Sequence, residues 1–314
     1  MMPVSNRQVA SERLNLEGSI AELVSGFSVE TTPGAANKIP DYRAHLAPGT
    51  RVFITFLPGS DFDDTIATAV RLRSEGLDPV PHLAARSIPD ARFLEDKLRR
   101  LADEAGVREV LAIGGGVDNP IGEFSDSMQM LETGLLDRFG IVRIGVAGHP
   151  EGSPEISDED IEHALRWKDA FAQRSDADLH VVTQFCFEAG PVIAWEQRLR
   201  AAGIRLPLHV GLPGLATIKS LLGHAKACGV GASMTFLTQQ ARKVTRLLTV
   251  SAPDQLVCAL AAYRAGNPDC NITGAHIYPL GGLKKSARWS YAAASGQLTM
   301  NARGDGFRVN VELN

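Results

Sequence analysis

Polar side chains and glycines stand at the ends of several short apolar runs in this sequence, where they could act together. Glu30 is suited to proton transfer, because burial raises a carboxyl pKa and makes an acid available near neutral pH. The alternative for Glu30 is an exposed side chain or one half of an ion pair. The other residues that end or follow apolar runs are Thr55, His82, Gly114, Gly115, Gly116, Asp118, His149, Glu151, Thr183, Gln184 and Tyr278.

Two of these features are typical of a site for a flat polar ring or a phosphate group. Gln184 offers donors and an acceptor that match the edge of a pterin or flavin ring, and a structural amide is the alternative. The glycines at 114–116 allow backbone N–H groups to approach a ring or a phosphate, or form a plain flexible turn. Lys168 is either a solvated surface residue or a phosphate contact.

The elements that must position these residues are eight short, β-rich apolar runs. Several of them, such as residues 110–113, are apolar on both faces, which predicts strands of a parallel sheet covered by helices. The predicted strands are Phe27–Glu30, Val52–Phe56, Pro79–Leu83, Glu109–Ile113, Arg143–Ala147, Leu179–Phe185, Leu208–Gly211 and Ala275–Tyr278.

Helical patterns alternate with these runs, and Gly76, Gly106 and Gly203 stand where three of the helices should end. This eightfold alternation over 314 residues favours a (β/α)8 TIM barrel. A doubly wound sheet is disfavoured because no G-x-G-x-x-G follows the first strand. In a TIM barrel the active site lies at the C-terminal ends of the strands, which is where the polar residues above stand.

One part of the chain exceeds what a barrel repeat needs. The region from Thr235 to Gly266 has two helical patterns, broken at the capping sequence Ser251-Ala252-Pro253-Asp254. We therefore expect extra helices between strands 7 and 8. We also predict an N-terminal extension over residues 1–20 and a single barrel domain over residues 21–314.

Composition argues against several classes of partner. The formal charge is −4 with no long basic block, so we expect no nucleic-acid partner. The sequence has neither an apolar stretch of about 18 residues nor a signal-peptide pattern at its start. We therefore expect a cytoplasmic protein without membrane contact. The four cysteines lack C-x-x-C spacing and the eight histidines lack H-x-x-x-H spacing, which predicts free thiols and no metal.

Several segments together resemble the methylenetetrahydrofolate reductase family. The resemblance runs over about residues 25 to 295, in the same order and with similar spacing. Its most specific motifs are V-A-G-H-P-E-G at 146–152 and V-T-Q-F-C-F at 182–187. Shorter matches are Ser28-Val29-Glu30, Pro81-His82-Leu83 and His276-Ile277-Tyr278.

The resemblance implies an FAD-containing barrel that interconverts 5,10-methylenetetrahydrofolate and 5-methyltetrahydrofolate with NAD(P)H as the donor. Glu30 matches the family glutamate that protonates the folate. Gln184 matches the glutamine that contacts the substrate beside the flavin, and we assign Asp118 and Tyr278 to the same substrate site. The resemblance also implies tetrahydrofolate derivatives as ligands and a homo-oligomer. The residues that match FAD-lining or FAD-holding positions are Thr55, His82, Ala147, His149 and Lys168, together with the turn Gly114-Gly115-Gly116.

This sequence departs from the family pattern at three positions. The three glycines stand where the family often has R-G-D, so Asp118 is the nearest acid that could replace the missing one. Ser153 replaces a frequent histidine, and Asp126 replaces a frequent aromatic flavin contact.

Three alternatives remain beside the flavin-dependent reductase. The first is a flavin-free family member with direct hydride transfer from NAD(P)H. The second is a non-catalytic folate-binding partner subunit, against which the acid Glu30 argues. The third, a pterin-dependent methyltransferase barrel, is disfavoured because the chain has no metal-thiolate cluster.

Overall fold

A computed structural model describes residues 16–153, 156–217, 250–280 and 282–313 of the chain. Eight parallel strands close into a barrel, and strands that follow one another in the chain pair with one another. The predicted (β/α)8 barrel is therefore confirmed. The barrel strands are β1 (Ser28–Thr31), β2 (Arg51–Ile54), β3 (Asp78–Ala84), β4 (Glu109–Ile113), β5 (Arg143–Gly148), β6 (Asp178–Phe185), β7 (Leu208–Pro213) and β10 (Ile272–Tyr278).

All eight predicted barrel strands are present, and their bounds differ from the prediction by at most three residues. The largest difference is at β10, which begins at Ile272. Ile272 pairs with Leu208, and Gly274 pairs with His209, so the ladder with β7 extends through a Thr-Gly step. Because Thr273 is polar and Gly274 has no side chain, the apolar run in the sequence begins only at Ala275, after the strand has started.

Helices lie between the barrel strands and cover their outer face. The residues Gly76, Gly106 and Gly203 have φ values of 81°, 55° and 83°, which confirms them as left-handed positions after α3, α4 and α8. Single 3-10 turns lie at Tyr42–Ala44 and Ala85–Ser87. The helices are α1 over 16–24, α2 (Pro33–Ala36), α3 (Phe62–Ser74), α4 (Ala91–Ala105), α5 (Ser127–Glu132), α6 (Leu135–Arg138), α7 (Asp158–Ala172), α8 (Ala189–Ala201), α9 (Asp254–Gly266) and α10 (Leu283–Ala294).

The connection between β7 and β10 contains a small antiparallel pair, β8 (Ala216–Thr217) with β9 (Val250–Ser251), followed by α9. Helix α9 confirms the second of the two predicted helical patterns, whereas the first lies outside the described residues. The predicted break is confirmed, since the helix begins at Asp254 directly after Pro253. Ser251 belongs to β9, and Pro253 is the N-cap of α9 without a side-chain hydrogen bond.

The barrel interior is filled by one apolar layer. Phe53, Val80, Leu111 and Val182 form this layer, and each is at most 6% exposed. Each stands midway along its strand, with polar side chains two residues away that face the same interior. The layer therefore separates the C-terminal mouth of the barrel from its N-terminal end.

The two ends of the described chain pack on the outside of the barrel. Helix α1 buries Ile20, Leu23 and Val24. The predicted domain boundary at residue 20 falls within this helix, and the domain division stays a prediction. At the other end, β11 (Leu298–Met300) and β12 (Phe307–Val309) form a hairpin. None of the helices in the described ranges is long and apolar enough to cross a membrane.

Candidate active site at the mouth of the barrel

The C-terminal ends of the strands bring together five of the predicted site residues. Their side chains face the interior because residues two apart on a strand point to the same side. Thr55 directly follows β2, and its N–H donates to the Thr31 carbonyl at 2.8 Å, which continues the ladder to β1. The five residues are Glu30, Thr55, His82, Gln184 and Tyr278.

Glu30 is held by a hydrogen-bonded network across the seam where the barrel closes. The Thr55 hydroxyl donates to Oε1 of Glu30, and Nε2 of His276 lies 3.0 Å from Oε2. Nδ1 of His276 lies 2.8 Å from the Ser28 hydroxyl. Because an ionised carboxylate only accepts hydrogen bonds, Nε2 donates to Glu30, and in a neutral imidazole Nδ1 then accepts from the Ser28 hydroxyl. The network fixes both the carboxylate and the histidine tautomer.

The pKa of Glu30 lies below its ordinary value of 4.5. Burial is the largest single influence and raises this pKa, but attraction to His82 and the hydrogen bonds from His276 and Thr55 together lower it by more. Burial does raise this pKa, but the expectation of a pKa above the ordinary value is wrong, because the partners outweigh desolvation. Without a bound ligand, Glu30 is ionised at neutral pH.

Two further side chains at the C-terminal end of the barrel carry buried polar atoms that lack a partner within the described part of the chain. Both ring nitrogens of His82 and Oε1 of Gln184 are such atoms. Burial lowers the pKa of His82, and attraction to Glu30 partly offsets this lowering. An unpaired buried polar atom costs about 1 to 3 kcal/mol. A ligand that pairs with these atoms would recover that energy.

An irregularity in β6 positions Gln184 at the mouth. The register between β6 and β7 shifts there, and the Thr183 hydroxyl accepts a hydrogen bond from the Gly211 N–H at 2.8 Å. A Cβ atom on Gly211 would lie 2.5 Å from the Gln184 carbonyl oxygen, so only glycine permits this approach. The Tyr278 hydroxyl donates to the Thr183 carbonyl at 2.9 Å, which ties the last barrel strand to the same segment.

The glycine turn at 114–116 follows β4, and its members have different requirements. Gly115 has a φ of +97°, and a Cβ there would lie 3.1 Å from the Cβ of Ala84. A Cβ on Gly116 would make only an ordinary van der Waals contact, with Cγ of Pro58 at 3.8 Å. Asp118 is exposed on this loop. The structure does not bring Asp118 into the network around Glu30, and its role in substrate binding stays a prediction.

A buried cation lies beside the mouth. Lys168 of α7 is 6% exposed, and burial lowers its pKa to about 8, partly offset by Asp126. His149 follows β5, and burial and the charge of Lys168 lower its pKa to about 4. Asp126 caps α5 by accepting two backbone N–H groups at 2.8 and 3.0 Å. A buried ammonium with so little compensation suits an anionic ligand group.

The remaining predicted residue, Ala147, lies in β5 and is partly exposed. The small side chain of Ala147 leaves space between the glycine turn and the β6 segment, because β5 pairs with β4 on one side and β6 on the other. No group of three or more His, Cys, Asp or Glu side chains among the described residues is arranged to hold a metal ion.

His276 is the functional residue that sequence reasoning did not assign. Its ring is fully buried and packs edge-on against Phe53 and Tyr278, with centroid distances of 4.7 Å to each. The signal that could have found it is the spacing of two between His276 and Tyr278 in the last strand, which places both side chains inside the barrel.

Comparisons with known proteins agree with this arrangement. A sequence model of the family described as methylenetetrahydrofolate reductase matches residues 42–278. Methylenetetrahydrofolate reductase 1 of Schizosaccharomyces pombe is 32% identical over 172 residues, which are 51% of this chain and 27% of the yeast protein. Methylenetetrahydrofolate reductase 2 of Saccharomyces cerevisiae is 27% identical over 174 residues, which are 52% of this chain and 27% of that protein. The matches thus span about a quarter of each yeast protein.

A solved structure has a similar fold. It is an uncharacterized protein from Clostridium thermocellum that binds two copies of 5-methyl-5,6,7,8-tetrahydrofolic acid. Its TM-score is 0.51 at 12% sequence identity, and the alignment covers 91% of this chain and 97% of that one. At this identity the likeness supports the barrel fold alone.

Proposed function

We propose, since this chain belongs to the methylenetetrahydrofolate reductase family, that it reduces 5,10-methylenetetrahydrofolate to 5-methyltetrahydrofolate with NAD(P)H as the hydride donor and FAD as the bound cofactor. The observation that carries the proposal is the position of Glu30. Its carboxyl group lies at the barrel mouth, held by Thr55 and His276, at the same end of the barrel as the unpaired polar atoms of His82 and Gln184. This arrangement supplies an acid beside groups that can orient a pterin ring.

Glu30 would donate a proton to a ring nitrogen of the folate, which opens the five-membered ring to an electrophilic iminium. The carboxyl group must first gain a proton, since its pKa is low without a ligand. Its side chain is 14% exposed, and a pterin that covers this remaining surface would strengthen desolvation and raise the pKa. Substrate binding itself would thus favour the protonated acid.

Gln184 would orient the pterin. Its unpaired Oε1 can accept from a ring N–H or amino group, and its Nε2 can donate to a ring acceptor. Tyr278 would support the same ring through its contact with the Thr183 carbonyl, which keeps the β6 segment in place. These contacts hold the reacting carbon of the folate in one orientation, which is how positioning lowers a reaction barrier.

The residues at the mouth fit FAD. His82 has two unpaired ring nitrogens, the 115 position admits only a glycine backbone, and Lys168 is a buried cation for a phosphate group. Thr55, Ala147, His149 and the remaining turn residues Gly114 and Gly116 would complete the lining. FAD, when bound, supplies the hydride that it has received from NAD(P)H.

The proposal predicts a yellow protein. Purified chain incubated with FAD and passed over a desalting column should retain the visible absorbance of oxidised flavin, and NAD(P)H should bleach it without oxygen. Loss of the buried ammonium in Lys168→Met should weaken FAD binding about tenfold or more, the usual cost of a charge-assisted hydrogen bond. The exposed Lys284→Met is the matched control and should bind FAD like the wild type.

Two results would contradict parts of this proposal. A colourless protein whose NAD(P)H-dependent folate reduction does not respond to FAD would establish the flavin-free alternative. A protein that binds folate but oxidises no NAD(P)H, with or without FAD, would be a binding subunit.

A second prediction concerns the carboxyl group that the glycine turn lacks. Gly116→Asp should tighten folate binding and lower the flavin midpoint potential, because a negative charge near the flavin disfavours negative charge on its reduced form. The Cβ of this substitution makes no close contact, whereas Gly115→Asp would strain a left-handed residue against Ala84 and serves as the contrast. Spectroscopic redox titration and folate titration measure the two effects.

The same titrations test whether Asp118 already supplies the missing charge. If it does, Gly116→Asp should change neither quantity and Asp118→Asn should raise the potential. If both variants leave the potential and folate affinity at wild-type values, the loop does not face the site.

A further inference from the structure

A second cavity lies at the opposite, N-terminal end of the barrel, beyond the apolar layer. Its volume is about 520 Å³, and the starts of β5, β6, β7 and β10 line it together with the end of α7. Among the polar side chains that line it are Arg143, His180, His209 and Thr273, of which the two histidines are buried. The mechanism proposed above uses none of them.

Unpaired buried polar atoms concentrate at this end. Of the ten such side-chain atoms found in the described ranges, five belong to a cluster of Arg51, Glu109, His180 and His209. His180 is 3% exposed and both its ring nitrogens lack a hydrogen-bond partner within those ranges, as does Nδ1 of the 8% exposed His209. Both histidines line the cavity. Native proteins rarely leave so many buried polar atoms unpaired in one place.

The ion pairs within this cluster are too long to serve as hydrogen bonds for its buried polar atoms. Oε1 of Glu109 lies 3.5 Å from both Nη1 of Arg51 and Nε2 of His180, and Oε2 lies 3.7 Å from Nη1 of Arg143. Ordinary hydrogen bonds of this kind are about 2.7 to 3.2 Å long. The charges of Glu109, Arg51 and Arg143 therefore partly offset one another, while their hydrogen-bonding atoms remain available to a ligand.

Glycines on neighbouring strands make room for the two imidazoles. A Cβ atom on Gly145 would lie 3.4 Å from Nε2 of His180, and one on Gly274 would lie 3.1 Å from the His209 ring. The two rings sit side by side with centroids 4.6 Å apart. The backbone of the neighbouring strands thus leaves room for both imidazole rings, which supports the interpretation that the two histidines belong to a binding site.

The charges of the cavity favour a ligand with a single negative group. Burial lowers the pKa of His209 to about 3 and that of His180 well below its ordinary value, so both rings are uncharged at neutral pH. The inner cluster then has two guanidinium groups and one carboxylate, an excess of one positive charge. At the rim, Asp169, Asp178 and Arg205 add one negative charge, which brings the total of the two groups to zero, so the positive charge that faces a ligand is confined to the inner cluster and a ligand with several negative groups is disfavoured.

We propose that this cavity binds a small organic oxyanion through a carboxylate or phosphate group. Arg143 is the anchor, because its side chain lines the cavity, is 40% exposed, and within the described ranges makes one long contact, with Glu109. His180 and His209 donate to the oxygens or to neighbouring polar groups of the ligand. The site is separate from the proposed folate site, since the layer of Phe53, Val80, Leu111 and Val182 lies between them.

Imidazole NMR of the full chain tests this assignment. Sodium acetate and sodium phosphate are the two probes, each titrated at pH 7 with sodium chloride balancing the ionic strength. We expect saturable shifts of the His180 and His209 resonances, assigned with His180→Gln and His209→Gln. The probe with the lower dissociation constant identifies the preferred group as carboxylate or phosphate.

Arg143→Gln should weaken this binding about tenfold or more, whereas Arg99→Gln, at an exposed arginine of α4, should not change it. Folding of Arg143→Gln is verified by unchanged resonances of the histidines at the barrel mouth. Three results would overturn the proposal: no saturable shift of either imidazole, which would mean that the cluster holds water only; equal affinity in Arg143→Gln; or a response to Zn²⁺ with none to either anion.

Discussion

Glu30→Gln is expected to slow folate reduction about 10²- to 10⁴-fold, the usual effect of removing a general acid. Flavin reduction by NAD(P)H should continue at the wild-type rate, because that half-reaction needs no acid. The amide is nearly isosteric with the carboxyl group, and its oxygen can still accept from Thr55 or His276. Stopped-flow measurement of the two half-reactions separates the effects.

The matched control is Glu132→Gln, at an exposed glutamate that ends α5, which should leave both half-reactions unchanged. Near-normal folate reduction in Glu30→Gln would show that another residue supplies the proton, and Asp118 would be examined next. A parallel loss of flavin reduction would show instead that Glu30 supports the whole mouth.

The barrel and the side of each strand that faces inward could be predicted from sequence. Strand runs recur with helical patterns between them, and side chains alternate along each strand, so Glu30, His82 and Gln184 had to share one end once the fold was assigned. The alternation of inward and outward side chains depends only on the geometry of one strand, and it can therefore be read from the sequence. The turn at 114–116 could be predicted as well, because three consecutive glycines indicate a turn from the local sequence alone.

Contacts across the closing seam could not be predicted in the same way. Glu30 and His276 are 246 residues apart, and they meet only because β1 pairs with β10. The pKa of Glu30 depends on that meeting, so burial considered alone gave the wrong direction. The space that Gly145 and Gly274 provide for two histidines is likewise a property of neighbouring strands, and the sequence shows only isolated glycines.

Removing the seam contact in His276→Phe should destabilise the protein by about 3 kcal/mol at neutral pH, the scale of a buried charge that loses its partner. Phenylalanine keeps the packing against Phe53 and Tyr278 but cannot donate to Glu30. Burial, the largest influence on Glu30, is then opposed only by His82 and Thr55, so the pKa of Glu30 should rise. Urea unfolding at several pH values measures the effect.

The pH dependence distinguishes this electrostatic effect from a packing defect. In the wild type the folded pKa of Glu30 is below 4.5, so its contribution to stability is present above that pH and is lost as the pH falls through the folded value. In His276→Phe that contribution is absent, so the difference in unfolding free energy between the two proteins should shrink as the solution is acidified.

A double variant provides the decisive comparison. Adding Glu30→Gln to His276→Phe removes the unpaired charge, and it should recover most of the stability lost at neutral pH. The same Glu30→Gln change in the wild-type background removes a paired carboxylate and should cost stability there. A stability difference that is independent of pH, with no recovery in the double variant, would mean that His276 acts only through packing, and the carboxylate would then owe its low pKa to His82 and Thr55.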